Sequence, residues 1–486
     1  MSSVGVMASQ ADSARIDHLS LWRMVDKDAA INPALHGKMY TLSYSQLAIN
    51  WDYRHQTESF VEEKGDGFSL PSIGAETYLR LSDKTAVWGA ASYLSGKQRN
   101  IVWNSTSDYD LLQPYVLADT LGGDTRRERY AFSGGYASET HHWLLGAEML
   151  FRAEQEYRDQ DPRMRGIVTD LTLRLGAGRD ISVYRMGAAV EANIYKQTNT
   201  VEFYNEEGVI PEYQMTGLGT EYARFSGDKR SIYYEGGGMA LLLHLSPLQS
   251  RGFYADLSLD EHRYHRKLAE YNSMPLTDLY REHVGATIGW KRQTEKKIAL
   301  FAQADYTKRT GDEHIGGTSD ARYFPTIACL TLYKNHLLDA GLGVLYGRDL
   351  WHVALRTGYR SHTEEYVYPH RQLDSKSAYA DLRGQVFIST SSPWSLKVDA
   401  HAAYIGHIDD TVTMPYANMD EKITRMVDHK ATFAKANYTD LGAGVRGDYA
   451  WGRSRYGLFA ELCGDLVLCS ASARQYDVYL SVGITF

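Results

Sequence analysis

The chain closes on QYDVYLSVGITF, in which Tyr476, Val478, Leu480, Val482, Ile484 and Phe486 alternate with Gln475, Asp477, Tyr479, Ser481, Gly483 and Thr485. A period of two puts the sets on opposite faces of one β-strand, one apolar and one small or polar. The pattern recurs. Trp143, Leu145, Ala147, Met149 and Phe151 oppose Glu148 and Arg152, and Trp351, Val353, Leu355 and Tyr359 oppose His352, Arg356 and Arg360. Ala378, Ala380, Leu382, Val386 and Ile388 oppose Tyr379, Asp381, Arg383 and Gln385. Trp394, Leu396, Val398, Ala400, Ala402 and Tyr404 oppose Lys397, Asp399 and His401. Several apolar faces start or stop on Trp or Tyr, the side chains that suit a membrane–water boundary. Each face is roughly the ten residues that a tilted strand needs to cross hydrocarbon.

Connections are sorted by length. Short ones near 82–85, 138–142, 177–182, 246–251, 293–297, 347–350, 390–393 and 451–455 alternate with longer polar segments. The long segments are 55–70, 97–127, 155–164, 197–229, 265–279, 307–336, 365–375 and 408–433, and 469–473 is a short exception. This sorting predicts an all-β fold, a transmembrane antiparallel β-barrel of about 18 strands, with 16 as the alternative count. Short turns would be periplasmic and long loops extracellular, which leaves both termini periplasmic in a bacterial outer membrane. A closed barrel must pair its last strand with its first. The alternating run that ends on Phe486 also resembles the sorting signal read by the outer-membrane assembly machinery. The long segments carry Trp103, Tyr109, Tyr115, Phe203, Tyr204, Tyr213, Tyr222 and Tyr416 among polar residues, a mixture typical of contact surfaces. They are expected to fold together over the outer mouth.

Residues 1–39 are read apart from a barrel at 40–486. Ile16, Leu19, Leu21, Trp22 and Val25 recur at helical intervals, and the pattern breaks at Asn32-Pro33-Ala34. The segment is either a lumen plug or a leader against the rim. The small-residue stretch ASQA near the start is similar to the end of a signal peptide, without its apolar core.

Composition sharpens this picture. The chain is 43% hydrophobic, with a mean hydropathy of −0.41. No run is long and apolar enough for a membrane helix, and in a barrel the lipid-facing and lumen-facing residues cancel in the average. Tyr (36) and Gly (42) outnumber Pro (11). A net charge of −8 without a basic tract argues against a nucleic-acid partner. Cys329, Cys463 and Cys469 have no zinc spacing and form no even-numbered framework.

NPALHGKMY before the first strand, and VWGAASYLSGK after it, resemble a Bacteroidota outer-membrane β-barrel family of unassigned function. NPA is also similar to the start of long-chain fatty-acid transporter-like barrels. The resemblance implies a place beside a TonB-dependent receptor and a surface lipoprotein. Lipid and lipopolysaccharide would surround the wall.

The lumen-facing phase carries both charge signs: Glu76 and Arg80, Glu148 and Arg152, Asp170 and Arg174, Arg185 and Glu191, Asp381 and Arg383, Lys397 and Asp399, Arg446 and Asp448. Such residues either tune a pore or satisfy one another across a blocked lumen. The densest titratable cluster is Asp260, Glu261, His262 and His265, and His141-His142 sits in a turn. No nucleophile elbow, zincin helix or phosphate loop occurs. Acidic stretches at 159–161, 205–208 and 418–421 lack calcium-loop spacing. No catalytic residue, metal or cofactor is expected. The reading is a transport or channel barrel or a subunit of an uptake complex; the alternatives are an occluded scaffold and an outer-membrane enzyme.

Overall fold

The computed structural model describes residues 13–205, 212–225, 231–318, 324–389, 393–414, 420–451 and 456–486. The ASQA stretch lies outside them, as do parts of the acidic stretches at 205–208 and 418–421 and of the turns at 390–393 and 451–455. The wall begins with β1 (Tyr44–Gln56), β2 (Gly67–Arg80) and β3 (Thr85–Ile101), followed by a short inner strand β4 (Leu117–Ala118). It continues through β5 (Gly123–Thr140), β6 (Trp143–Tyr157), β7 (Arg163–Ile181) and β8 (Tyr184–Glu202). Two more inner strands follow, β9 (Tyr213–Gly217) and β10 (Thr220–Glu221). The wall resumes with β11 (Ser231–Pro247), β12 (Arg251–Leu268), β13 (Met274–Gln293), β14 (Lys297–Gly316) and β15 (Thr326–Arg348). It ends with β16 (Trp351–Tyr366), β17 (Arg371–Ser389), β18 (Trp394–Thr413), β19 (Tyr438–Ala450), β20 (Gly457–Cys469) and β21 (Arg474–Thr485).

These wall strands form one 18-stranded antiparallel sheet. β21 pairs with β1 from Gln46 opposite Thr485 to Gln56 opposite Gln475, which closes the barrel. Closure removes the edge that would otherwise recruit another chain.

The apolar phase faces out. Met239, Ile49 and Leu342 are 74%, 66% and 66% exposed. Large apolar side chains stay uncovered in such numbers only where the surrounding medium is itself apolar. Tyr476, Leu480, Val482, Ile484 and Phe486 belong to this outer face, as does the less exposed Val478. On β13 the outward rings of Tyr280 and Trp290 bracket the belt. Their separation is about 33 Å of strand, or about 25 Å of depth at the usual tilt.

Strands run further than the alternation predicts. β13 and β14 have 20 residues and β15 has 23, about twice what a crossing needs. The expected loop at 307–336 shrinks to 317–325, that at 97–127 to 102–122, and that at 265–279 to 269–273. Beyond the hydrocarbon neither face is required to be apolar, so the pattern fades while the backbone ladder continues. The turns after β2, β5, β7, β11, β13, β15, β17 and β19, the start of β1 and the end of β21 all lie at one end, the short-turn end.

Candidate functional site: a lumen with a floor, a chamber and a roof

The chain before β1 forms a floor across the short-turn end. Residues 13–19 are helical, and 3₁₀ turns at Leu21–Asp26 and Ala29–Ile31 lead to a one-turn helix, Pro33–His36. The expected break at Asn32-Pro33-Ala34 is a helix start instead. Asn32 Oδ1 accepts the Ala34 N–H at 3.0 Å, and Pro33 takes the first position, where its missing N–H costs nothing.

The floor reaches the wall on many sides. Arg15 pairs with Asp448 on β19 at 2.8 Å. Gln385 on β17 accepts the Leu21 N–H at 2.6 Å and donates to the Leu19 carbonyl at 2.9 Å. Asp26 pairs with Lys291 on β13 at 2.5 Å, and Lys38 with Glu139 on β5 at 2.9 Å. Trp22 is the apolar anchor, buried among Tyr254, Ala299, Leu345 and Ala354 from four strands. Residues 32–35 rest on a seat cleared of side chains: Gly146 opposite Gly176 across β6 and β7, and Gly178 opposite Gly187 across β7 and β8. A Cβ at Gly146 would lie 2.5 Å from the Ala34 nitrogen, and one at Gly187 would lie 2.7 Å from Leu35 Cδ1. These glycines face the lumen because backbone must pass close over them.

Above the floor is a polar chamber, with a cavity of about 340 Å³ beside Ala90, Ser92, Ser133, Arg152, Asp170 and Thr172. All fourteen charged residues singled out from the sequence lie on the lumen phase, and the register decides their partners. Residues two apart on one strand pair directly: Arg383 with Asp381 at 2.8 Å, Lys397 with Asp399 at 2.9 Å, and Arg446 with Asp448 at 3.1 Å. Residues four apart stand about 13 Å from each other along a strand, so they pair sideways. Arg174 takes Glu148 at 2.9 Å and Glu191 at 2.5 Å, and Arg152 takes Asp170 at 3.2 Å. Arg185 pairs with Asp180, not Glu191. Glu76 accepts from Gln46, and Arg80 donates to the Tyr40 carbonyl in the floor.

The cluster at 260–265 is divided by the strand. Asp260 and His262 point inward, where Asp260 meets Arg281 at 3.0 Å and His283 at 2.7 Å. His265 points outward to Asp278 at 2.6 Å.

The roof is the feature that the sequence reading places without its chemistry. Segment 102–122 turns inward, and β4, β9 and β10 form a three-stranded sheet inside the mouth. Leu112, Tyr115, Leu117, Met215 and Leu218 from these loops join Ile232, Tyr264, Leu268, Leu276 and Tyr333 from the wall in one apolar core. The helix Glu421–Ala434, capped by Asp420, adds Ile423, Met426, Val427 and Ala431. Its Lys430 pairs with the buried Glu364 at 2.7 Å. Arg266 on β12, fully buried, ties the loops together: it donates to the carbonyls of Val116 at 3.0 Å and Met215 at 3.1 Å, and to the Gln214 side chain.

Asp108 joins roof to chamber. Arg152 donates to both its carboxylate oxygens at 2.7 Å, and Tyr195 Oη donates at 2.9 Å. Burial pushes the Asp108 pKa up, but Arg152, Tyr195 and Arg127 outweigh it and hold the group below the usual carboxylate range. Stability from a depressed carboxylate is complete above its unfolded pKa and is lost as pH falls through the folded one. Segment 102–122 is therefore expected to resist protease at neutral pH and to begin loosening below about pH 4. Asp108→Asn should remove that step from a proteolysis–pH profile.

The chain belongs to a family of unknown function, DUF6850, whose model matches residues 33–486. No curated protein matches it. Among solved structures it is similar to a mutant ferric enterobactin receptor, PfeA, from Pseudomonas aeruginosa, at 9% identity over 92% of this chain and 80% of that chain, TM-score 0.39. It is also similar to the siderophore receptor PiuA from Acinetobacter baumannii, at 8% over 91% of this chain and 82% of that one, TM-score 0.42. The outer membrane transporter YddB from Escherichia coli matches at 7% over 91% and 81%, TM-score 0.42.

Proposed function

We propose that this protein sits in the bacterial outer membrane and serves uptake as a closed, partner-operated path, without conducting on its own. The observation that carries the reading is two closures in series on a charged chamber: a floor anchored by Trp22, seated on glycines and tied to the wall by ion pairs, and a roof held by an apolar core. The uncovered apolar belt, the outward rings at its two margins and the sorted loops support the outer-membrane location. On this reading the short turns and both ends of the wall are periplasmic, so a periplasmic partner meets the floor. Its surroundings are lipid and lipopolysaccharide at the belt, and the assembly machinery acts on the strand ending at Phe486. A TonB-dependent receptor with a surface lipoprotein is the partner that the sequence resemblance implies. The likeness to long-chain fatty-acid transporters rests on that resemblance alone. The reading assigns no catalytic step.

The apolar roof favours a second reading, an occluded barrel that scaffolds a partner. Conductance in planar bilayers separates the two. The full chain is expected to be silent, as are variants that release the floor alone or the roof alone. Releasing both should open a stable conductance. A full chain that conducts unaided overturns the closed-path reading, and silence of the combined variant leaves the scaffold.

A further inference from the structure

We propose that the chamber wall holds a divalent transition-metal site at His401, Asp440 and Asp465. The three residues come from β18, β19 and β20 and all point into the lumen. His401 stands opposite Gly442, and Gly442 opposite Asp465, so the imidazole and the carboxylate occupy one cross-strand row with a bare glycine between them. Asp440 follows two residues from Gly442 on the same face. The missing side chain matters: a Cβ at Gly442 would collide with Asp465 Oδ1 and the His401 ring. In its absence His401 Nε2 lies 3.4 Å from Asp440 Oδ1 and 3.7 Å from Asp465 Oδ1, and the three ligand atoms lie within 4.8 Å of one another. Bond lengths of about 2.0–2.2 Å from one ion to nitrogen and carboxylate oxygen give separations of this size.

Two observations mark this as more than wall polarity. Glu148 has Arg174, Asp339 has Arg356 and Asp477 has Arg54 as a cationic partner. Asp440 and Asp465 pair with neither Arg nor Lys among the described residues; each meets only His401. Asp440 Oδ1 is moreover covered and makes no hydrogen bond of good geometry, while the side chain as a whole is 39% exposed, which leaves that oxygen available to a cation. One imidazole with two carboxylates suits zinc, manganese or iron(II) better than the all-oxygen shells of calcium and magnesium. Three protein ligands leave coordination positions facing the chamber, open to water or to an anionic solute.

Zinc titration of the detergent-solubilised full chain by calorimetry tests this, with cobalt(II) as the spectroscopic probe. A single saturable zinc site and a cobalt d–d band are expected. His401→Ala and Asp465→Asn should each weaken binding at least as much as loss of an outer-shell partner does, about 10- to 100-fold. Gly442→Ala should do the same with every ligand in place, while Glu191→Gln, on β8 on the opposite side of the barrel, should leave the titration unchanged. Heat-modifiable migration shows that each variant keeps its barrel. Absence of zinc binding by the unmodified chain, or binding that survives both His401→Ala and Asp465→Asn, overturns the site.

Discussion

Trp22→Ala combined with Gly146→Val and Gly176→Val is expected to release the floor, exposing residues 13–43 to protease while the barrel keeps its heat-modifiable migration. The tryptophan is 2% exposed and its side chain fills a pocket made by four strands. Truncating a buried aromatic of this size costs about 3–5 kcal/mol. At the other half of the floor, added Cβ atoms would stand 2.5 Å and 3.0 Å from the Ala34 nitrogen. Backbone cannot yield as a flexible side chain does, and overpacking of this kind costs about 1–3 kcal/mol at each site. The Asp26–Lys291 and Lys38–Glu139 pairs are partly exposed and weak by comparison, and the buried Arg15–Asp448 pair tethers only the start of the segment. Protection of residues 13–43 equal to that of the unmodified chain would mean that anchor and seat do not hold the floor.

Arg266→Ala is expected to open the roof from within. The guanidinium is 1% exposed, and its donors satisfy the Val116 and Met215 carbonyls and the Gln214 side chain. Hydrogen bonds to a charged donor contribute about 1.5–3 kcal/mol each. These terms are not additive within one network, and removing the charged partner from a buried one costs about 3–5 kcal/mol in all. Cleavage should appear within 102–122 and 212–217, with the wall intact. Arg266→Met separates the causes by keeping bulk and losing donors: it should loosen the roof nearly as far. Native protection in Arg266→Met would assign the effect to packing alone. Joined to the floor variant, either roof-opening change supplies the combined protein for the conductance measurement.

The same residues show how far the sequence reached. Val482 and Ile484 announce a lipid face because alternation is local, and it survives whatever the neighbouring strands do. Leu268, Leu279 and Tyr333 carried a signal too, apolar residues on the inward phase near the loop ends of their strands. It was masked by the expectation that a lumen is polar. Gly146, Gly176, Gly178 and Gly187 read singly as weak strand positions; only their register, side by side across three strands, makes a seat. Asn32-Pro33 read as a break because proline ends a helix as readily as it begins one, and the cap to Ala34 decides which.

By itself, the sequence determined the two-faced wall, its approximate strand number and the inward phase of its charges, since each follows from a period of two and from the solvent on either side. The tertiary structure alone decided what the inward set meets. Arg185 turns to Asp180 instead of Glu191 because the two stand opposite each other across the β7–β8 turn, and His401 reaches Asp465 over Gly442 because cross-strand register joins residues that chain distance keeps apart. The floor, the roof and the candidate metal row all depend on that register, which no single strand contains.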